Sequence, residues 1–173
     1  MADFIERIIR AAKLDSNLYE EVEADKGTLG QSMGVVVLSS IAAGIGTITQ
    51  GGVGVILMGT IAALIGWYVW AYITYFIGTR FFPEPQTRAT HGELLRTIGF
   101  SSSPGLIRIL GIIPGLARGI FLIAAIWMLV AMVIAVRQAL DYTSTLRAVG
   151  VCMIGWIVQS LILVLLFTLL AVF

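Results

Sequence analysis

Five apolar stretches separated by short polar connections occupy most of the chain, at about residues 32–48, 53–77, 94–113, 120–136 and 146–172. Crossing ~30 Å of hydrocarbon takes roughly 20 helical residues, so the first stretch is near the lower limit and the second is long enough to tilt. A bilayer core offers no partner to backbone N–H and C=O groups, which leaves helices as the natural form for such runs. Residues 1–31 follow a different pattern. Phe4, Ile5, Ile8, Ile9 and Ala12 recur at helical spacing behind a capping Asp3, with Arg7, Arg10 and Lys13 on the other face. That spacing predicts an amphipathic helix lying in the headgroup plane. Asp15-Ser16-Asn17 ends it, and Leu18 to Asp25 reads as a short acidic helical turn, either solvated or a docking patch for a basic partner. The expected fold is all-α: a cytoplasmic arm over 1–31, then a bundle of five transmembrane helices over 32–173.

The third stretch departs from the rule. From Gly99 to Gly119 it reads Gly-Phe-Ser-Ser-Ser-Pro-Gly-Leu-Ile-Arg-Ile-Leu-Gly-Ile-Ile-Pro-Gly-Leu-Ala-Arg-Gly. Pro104 removes a backbone donor and clashes with the turn before it, so no straight helix passes through. Ser103 as a cap and Pro104 at the first helical position predict a new helix starting within the membrane. Its positive end, Gly105 and Arg108 then form a candidate site for a lipid phosphate or small anion. An arginine at mid-span costs ~2.5–3.5 kcal/mol on insertion scales, so Arg108 needs a reason. The plainer expectation is that it snorkels to the interface about two turns away.

Small residues four apart allow close helix approach. They occur at Ser39/Ala43, Ser40/Gly44, Ala42/Gly46 and Ala62/Gly66, and as the doubled series Gly111, Gly115, Gly119. Trp67, Tyr68, Trp70, Tyr72, Tyr75 and Phe76 crowd the end of the second stretch, as in a girdle at the headgroup level.

Composition agrees. The chain is 58% hydrophobic with a mean hydropathy of +0.97, and 12% charged against roughly 25% for a soluble domain. This describes an integral membrane protein. A net charge of +1 gives a nucleic-acid partner no electrostatic support. The N-terminus resembles neither a secretory signal nor a transit peptide, so the first span is expected to act as the insertion signal. With the N-terminus cytoplasmic and five crossings, nine of the 11 basic residues fall inside, Arg118 outside and Arg108 in the membrane. That obeys the positive-inside rule and puts the C-terminus outside the cytoplasm.

Candidate chemistry is sparse. His91, Glu93 and Arg96 cluster before the third stretch, too few to hold a metal that wants three or four ligands. No acid lies within a span to couple protons or sodium, and no nucleophile–base arrangement is present. The lone Cys152 lies in an apolar run. No cofactor, metal or catalytic role is expected.

From Leu94 onward the pattern resembles the Yip family of multi-spanning membrane proteins, the Ypt/Rab-interacting proteins and their prokaryotic relatives. Gly99-Phe100-Ser101 with Pro104 is similar to that family's Gly-Tyr-Ser-x-x-Pro, with Phe for Tyr. Trp127 stands where the fourth span carries a tryptophan. Ile134-Ala135-Val136-Arg137 resembles the Ala-Leu-Arg end of that span, and Ser144-Thr145-Leu146-Arg147-Ala148 the opening of the fifth. The resemblance implies a cytoplasmic N-terminus, five spans and an extracytoplasmic C-terminus. Gly27-Thr28-Leu29-Gly30 replaces the Asp-Leu-x-Gly-Pro of eukaryotic members and the arm is short, features of a minimal prokaryotic member rather than of one tied to Rab GTPases. The expected role is non-catalytic: a scaffold, adaptor or accessory subunit whose partners are membrane lipids and other membrane proteins or further copies of itself. The alternative is a channel or a lipid or solute carrier built on the broken third helix. A dry, glycine-packed centre would favour the first and a polar, water-accessible one the second.

Overall fold

The computed structural model describes residues 3–172. All of the regular structure among them is helical: α1 (Phe4–Ala12), α2 (Ser16–Ala24), a 3-10 turn at Lys26–Thr28, α3 (Leu29–Gly46), α4 (Ile48–Arg80), α5 (His91–Phe100), a 3-10 segment at Ser103–Ile112, α6 (Ala117–Ala139) and α7 (Thr145–Val172). Four helical stretches are long and apolar enough to cross a membrane: Lys26–Gly46, Gly52–Arg80, Ala117–Ala139 and Thr145–Leu165. The second begins at Gly52 because that residue, at φ 65°, interrupts α4 in a conformation that suits glycine.

The third apolar stretch has become two pieces in tandem, α5 and the 3-10 segment, each of 10 residues. Helix α5 starts at a capping box: Thr90 Oγ accepts from the Glu93 amide, and the Glu93 carboxylate accepts from the Thr90 amide. Runs of 3-10 helix beyond three or four residues are uncommon because the hydrogen bonds are poorly aligned. This one packs mainly against α3 and α6.

The core lies towards the end of the bundle that carries the Phe81–Thr90 and Leu140–Ser144 connections. There Trp67, Ala71 and Ile77 of α4 meet Leu94 and Ile98 of α5, Val136 and Ala139 of α6, and Val151 of α7. The two connections are tied to each other. Tyr142 Oη donates to the carbonyls of Gly78 and Phe82, and the buried Glu84 carboxylate accepts from the Thr143 amide and hydroxyl.

The N-terminal arm is a helical hairpin docked onto the bundle. Leu18, Tyr19 and Val22 of α2 and Ala11 of α1 are buried against Val35, Phe100 and Ala135. Arg7, only 5% exposed, donates to Glu21, Asp25 and Gln31, while Arg10 donates to Asp15 and Glu21. So Arg7 and Arg10 face protein, while Lys13 is exposed. The apolar side of α1 is divided. Phe4 and Ile8 pack against the buried cluster, whereas Ile5 and Ile9 are 62% and 48% exposed. Trp127, midway along α6, donates its Nε1 to the Ala12 carbonyl and so caps the end of α1. Arg96 of α5 does the same for α2, donating to the carbonyls of Val22 and Glu23.

That docking places Glu23 in an unfavourable spot. Burial, together with Asp141, Glu93 and Glu20, pushes its carboxyl up to about 7, with Arg96 only partly compensating. A carboxyl whose pKa is raised on folding binds extra protons in the folded state, so stability falls as pH rises from about 4.5 to about 7. Because Glu23 keeps some contact with solvent, the loss is screened to about 1 kcal/mol. Glu23→Gln should abolish it: thermal melts of the native protein and the variant in one detergent should agree near pH 5 and diverge by pH 8, with the variant higher. Parallel pH profiles would refute this.

Candidate functional site

Pro104 creates a local problem that the sequence around it solves. In a continuous α-helix its amide would bond to the Phe100 carbonyl, and proline has none to give. Ser103 Oγ donates to that carbonyl instead, at 2.7 Å. Ser101 Oγ donates to the Ile98 carbonyl at 2.7 Å, the Ser101 amide serves Thr97, and the Ser102 amide serves Gly99. Side chains from α3 and α4 add donors to the last turns of α5: Ser32 Oγ to the Arg96 carbonyl and Trp67 Nε1 to the Leu95 carbonyl. Ser103 therefore points backwards into α5. It does not cap the segment it begins, contrary to the sequence expectation, because the carbonyl stranded by Pro104 is the nearer unmet need.

Beyond the break, the 3-10 segment lies against α3 along a seam of small residues. A 3-10 helix repeats every three residues, so Gly105, Arg108 and Gly111 stand along one edge. Two turns of α-helix take about seven residues, so Ser32, Ser39 and Gly46 stand along one edge of α3. The two edges meet in register: Gly99 on Ser32, Gly105 on Ser39, Gly111 on Gly46. A Cβ at Gly99 would lie 2.6 Å from that of Ser32, and one at Gly105 or Gly46 would collide with Ser39 Oγ or the Arg108 carbonyl. Six residues of 3-10 helix rise ~12 Å and seven of α-helix ~10.5 Å, close enough to keep step over this length.

Arg108 closes the seam. Its Nη2 donates to the Ser39 carbonyl at 2.9 Å and to Ser39 Oγ at 2.7 Å, and its Nε to the Gly105 carbonyl at 3.0 Å. The guanidinium is turned onto α3, where it is partly buried, rather than extended towards an interface. Among the described residues no carboxylate lies within ion-pair distance of it.

Next to Arg108 is a cavity of about 1070 Å³, bounded by α3, α4, α6 and α7. Its walls are largely apolar, with Val36, Ile56, Trp67, Trp70, Met128, Leu129 and Trp156 among them. Arg108, Ser39, Ser102 and Gln159 supply polar atoms. The Gln159 side-chain oxygen is shielded and has no hydrogen-bond partner.

The other residues marked in the sequence are spread over several roles. Gly44 packs against Ile56 of α4, where a Cβ would lie 2.7 Å from Cγ1. Gly66 meets no other atom within 4 Å and faces the cavity, so it is not a helix contact. Gly115 occupies a turn at φ 86°, and Gly119 is likewise clear of any neighbour. The three glycines four apart therefore do not form one packing face, because a Cβ would meet a neighbour only at Gly111. His91, Glu93 and Arg96 do not converge: His91 sits edge-on to Tyr68 and Tyr72, Glu93 is in the capping box, and Arg96 lies under α2. Sequence reasoning missed Ser32 and marked Ser39 only as a small packing residue, because their partners lie far along the chain. A signal was present in Gly105 and Gly111, six apart, a spacing that suits a 3-10 helix.

The fold defines a class: an integral membrane protein whose helices pack around a glycine-lined, proline-broken segment. The family model described as "Yip1 domain" matches residues 22–171, and the chain belongs to that family. No curated protein and no solved structure gives a significant match.

The seam makes an internal comparison possible. Gly46→Ala should cost about 1–3 kcal/mol, since the added methyl must displace backbone. Gly119→Ala, in open space on α6, should be neutral or stabilising by up to ~1 kcal/mol. Denaturation in mixed micelles reads both, and equal effects would remove the seam as a tight contact.

Proposed function

We propose that this Yip1-domain protein is a non-catalytic scaffold or adaptor that organises other membrane proteins within the bilayer, in the setting of membrane organisation and trafficking. The observation that carries the reading is the closed seam between α3 and the 3-10 segment. A permeation path through the broken helix would need polar groups free to solvate a passing solute. Here Ser103 takes the Phe100 carbonyl, Arg108 donates to Gly105 and Ser39, and glycines bring the two backbones together. In this reading α5 and the 3-10 segment together make the third of five crossings. At roughly 15 Å and 20 Å by helical rise, their combined length suits ~30 Å of hydrocarbon. In this reading the N-terminus is cytoplasmic, α1 is set into the bundle as deep as Trp127, and Ile5 and Ile9 are exposed for lipid or for a partner.

Two measurements test the reading together. Purification in a gentle detergent followed by mass spectrometry should return a stable membrane-protein partner, and the reconstituted chain alone should leave ion and small-solute fluxes at the level of protein-free liposomes. A solitary monomer that moves a solute would overturn it. Single-cysteine labelling should find positions in the arm and at the end of α7 on opposite sides of the membrane; the same side would overturn the five-crossing topology.

A further inference from the structure

We propose that the groove beside Arg108, open laterally where Leu129 and Trp156 are exposed, binds one anionic single-chain lipid of the fatty-acid class, with its carboxylate on Arg108 and its acyl chain along α4 and α7. A lipid held there is compatible with a scaffold and with a carrier, so the proposal stands apart from the reading above.

Charge is the first argument. Arg108 carries a full positive charge within the membrane, and no carboxylate of the described residues neutralises it. Its Nε and Nη2 are used on Gly105 and Ser39, while Nη1 donates to no protein acceptor among them. The guanidinium therefore keeps donors on the cavity side. Removing a cation from water is costly unless an anion and further hydrogen bonds compensate.

Shape is the second. The cavity, at about 1070 Å³, is at the upper end of the ~300–1,000 Å³ typical of small-ligand sites. On α4, Gly59, Ala63 and Gly66 form a stripe of small residues along its wall. Such stripes in lipid normally bring another helix close. Here a Cβ on Gly59 or Gly66 would meet nothing within 4 Å. The stripe leaves a smooth apolar channel suited to a slender chain.

Depth decides between kinds of lipid. Ser39, where the guanidinium sits, is seven residues from Gly46 at the end of α3, or ~10 Å along the axis. A glycerophospholipid would have to draw its glycerol and second chain down with its phosphate. A fatty acid carries its charge at the end of the one chain and needs only to sink by that depth.

Trp67, Trp70 and Trp156 line the cavity and report on it directly. The full chain in phosphatidylcholine nanodiscs is titrated with dibrominated stearate or with its uncharged methyl ester, and tryptophan quenching is followed. The acid should quench saturably at a mole fraction about tenfold below that needed for the ester. Gly66→Phe, which places a ring in the channel, should remove the saturable phase, and Arg108→Gln should make acid and ester equivalent. Acetate, the same head without a chain, should not compete. Equal quenching by acid and ester in the native protein, a saturable phase that survives Gly66→Phe, or competition by acetate would each overturn the proposal. Should Arg108→Gln fail to fold, the ester comparison and Gly66→Phe decide the matter alone.

Discussion

A carbonyl released inside a bilayer has to find a donor within the protein, because hydrocarbon supplies none. Pro104 releases one at Phe100, and the geometry nearby follows from that. Ser101 and Ser103, which stand between Phe100 and the proline, turn their hydroxyls back into α5. The chain then tightens into a 3-10 segment, whose three-residue repeat brings Gly105, Arg108 and Gly111 onto one edge. That edge needs a neighbour that can come very close, and α3 provides one through Ser39 and Gly46.

The seam also explains how an arginine is retained among apolar residues. A guanidinium has five N–H donors in a planar fork, so it can serve two backbone carbonyls and a hydroxyl at once. Arg108 uses this capacity on Gly105 and Ser39, joining two segments that are remote in sequence. Arg96 works similarly at the other end of the broken segment, holding the last carbonyls of α2. These two arginines bracket the break, one fastening it to α3 and the other to the arm.

The arm is therefore part of the bundle as well as its appendage. Its ion pairs alone would be weak at a protein surface. Here Arg7 is buried, with three acceptors around it, and Leu18, Tyr19 and Val22 are fully covered. The side of α1 that remains open, Ile5 and Ile9, is narrower than its helical periodicity suggests, because the hairpin with α2 consumes the rest.

Apolar run length and the scarcity of charge determined much from sequence alone: the membrane setting, the positions of the long helices, the break at Pro104 and the likeness to the Yip family. These features are local, since a bilayer makes each span satisfy its own backbone and each break declare itself through proline. What Arg108 does was decided only by tertiary structure. It had a plausible local use as a snorkelling cation and lost it to Ser39, 69 residues away, whereas Ser103 turned to the Phe100 carbonyl three residues back, a local consequence of Pro104. The glycines divide in the same way. Spacing by four marks a packing face only if the segment is α-helical, and the 3-10 geometry that aligns Gly105 and Gly111 instead accompanies the packing of that segment against α3.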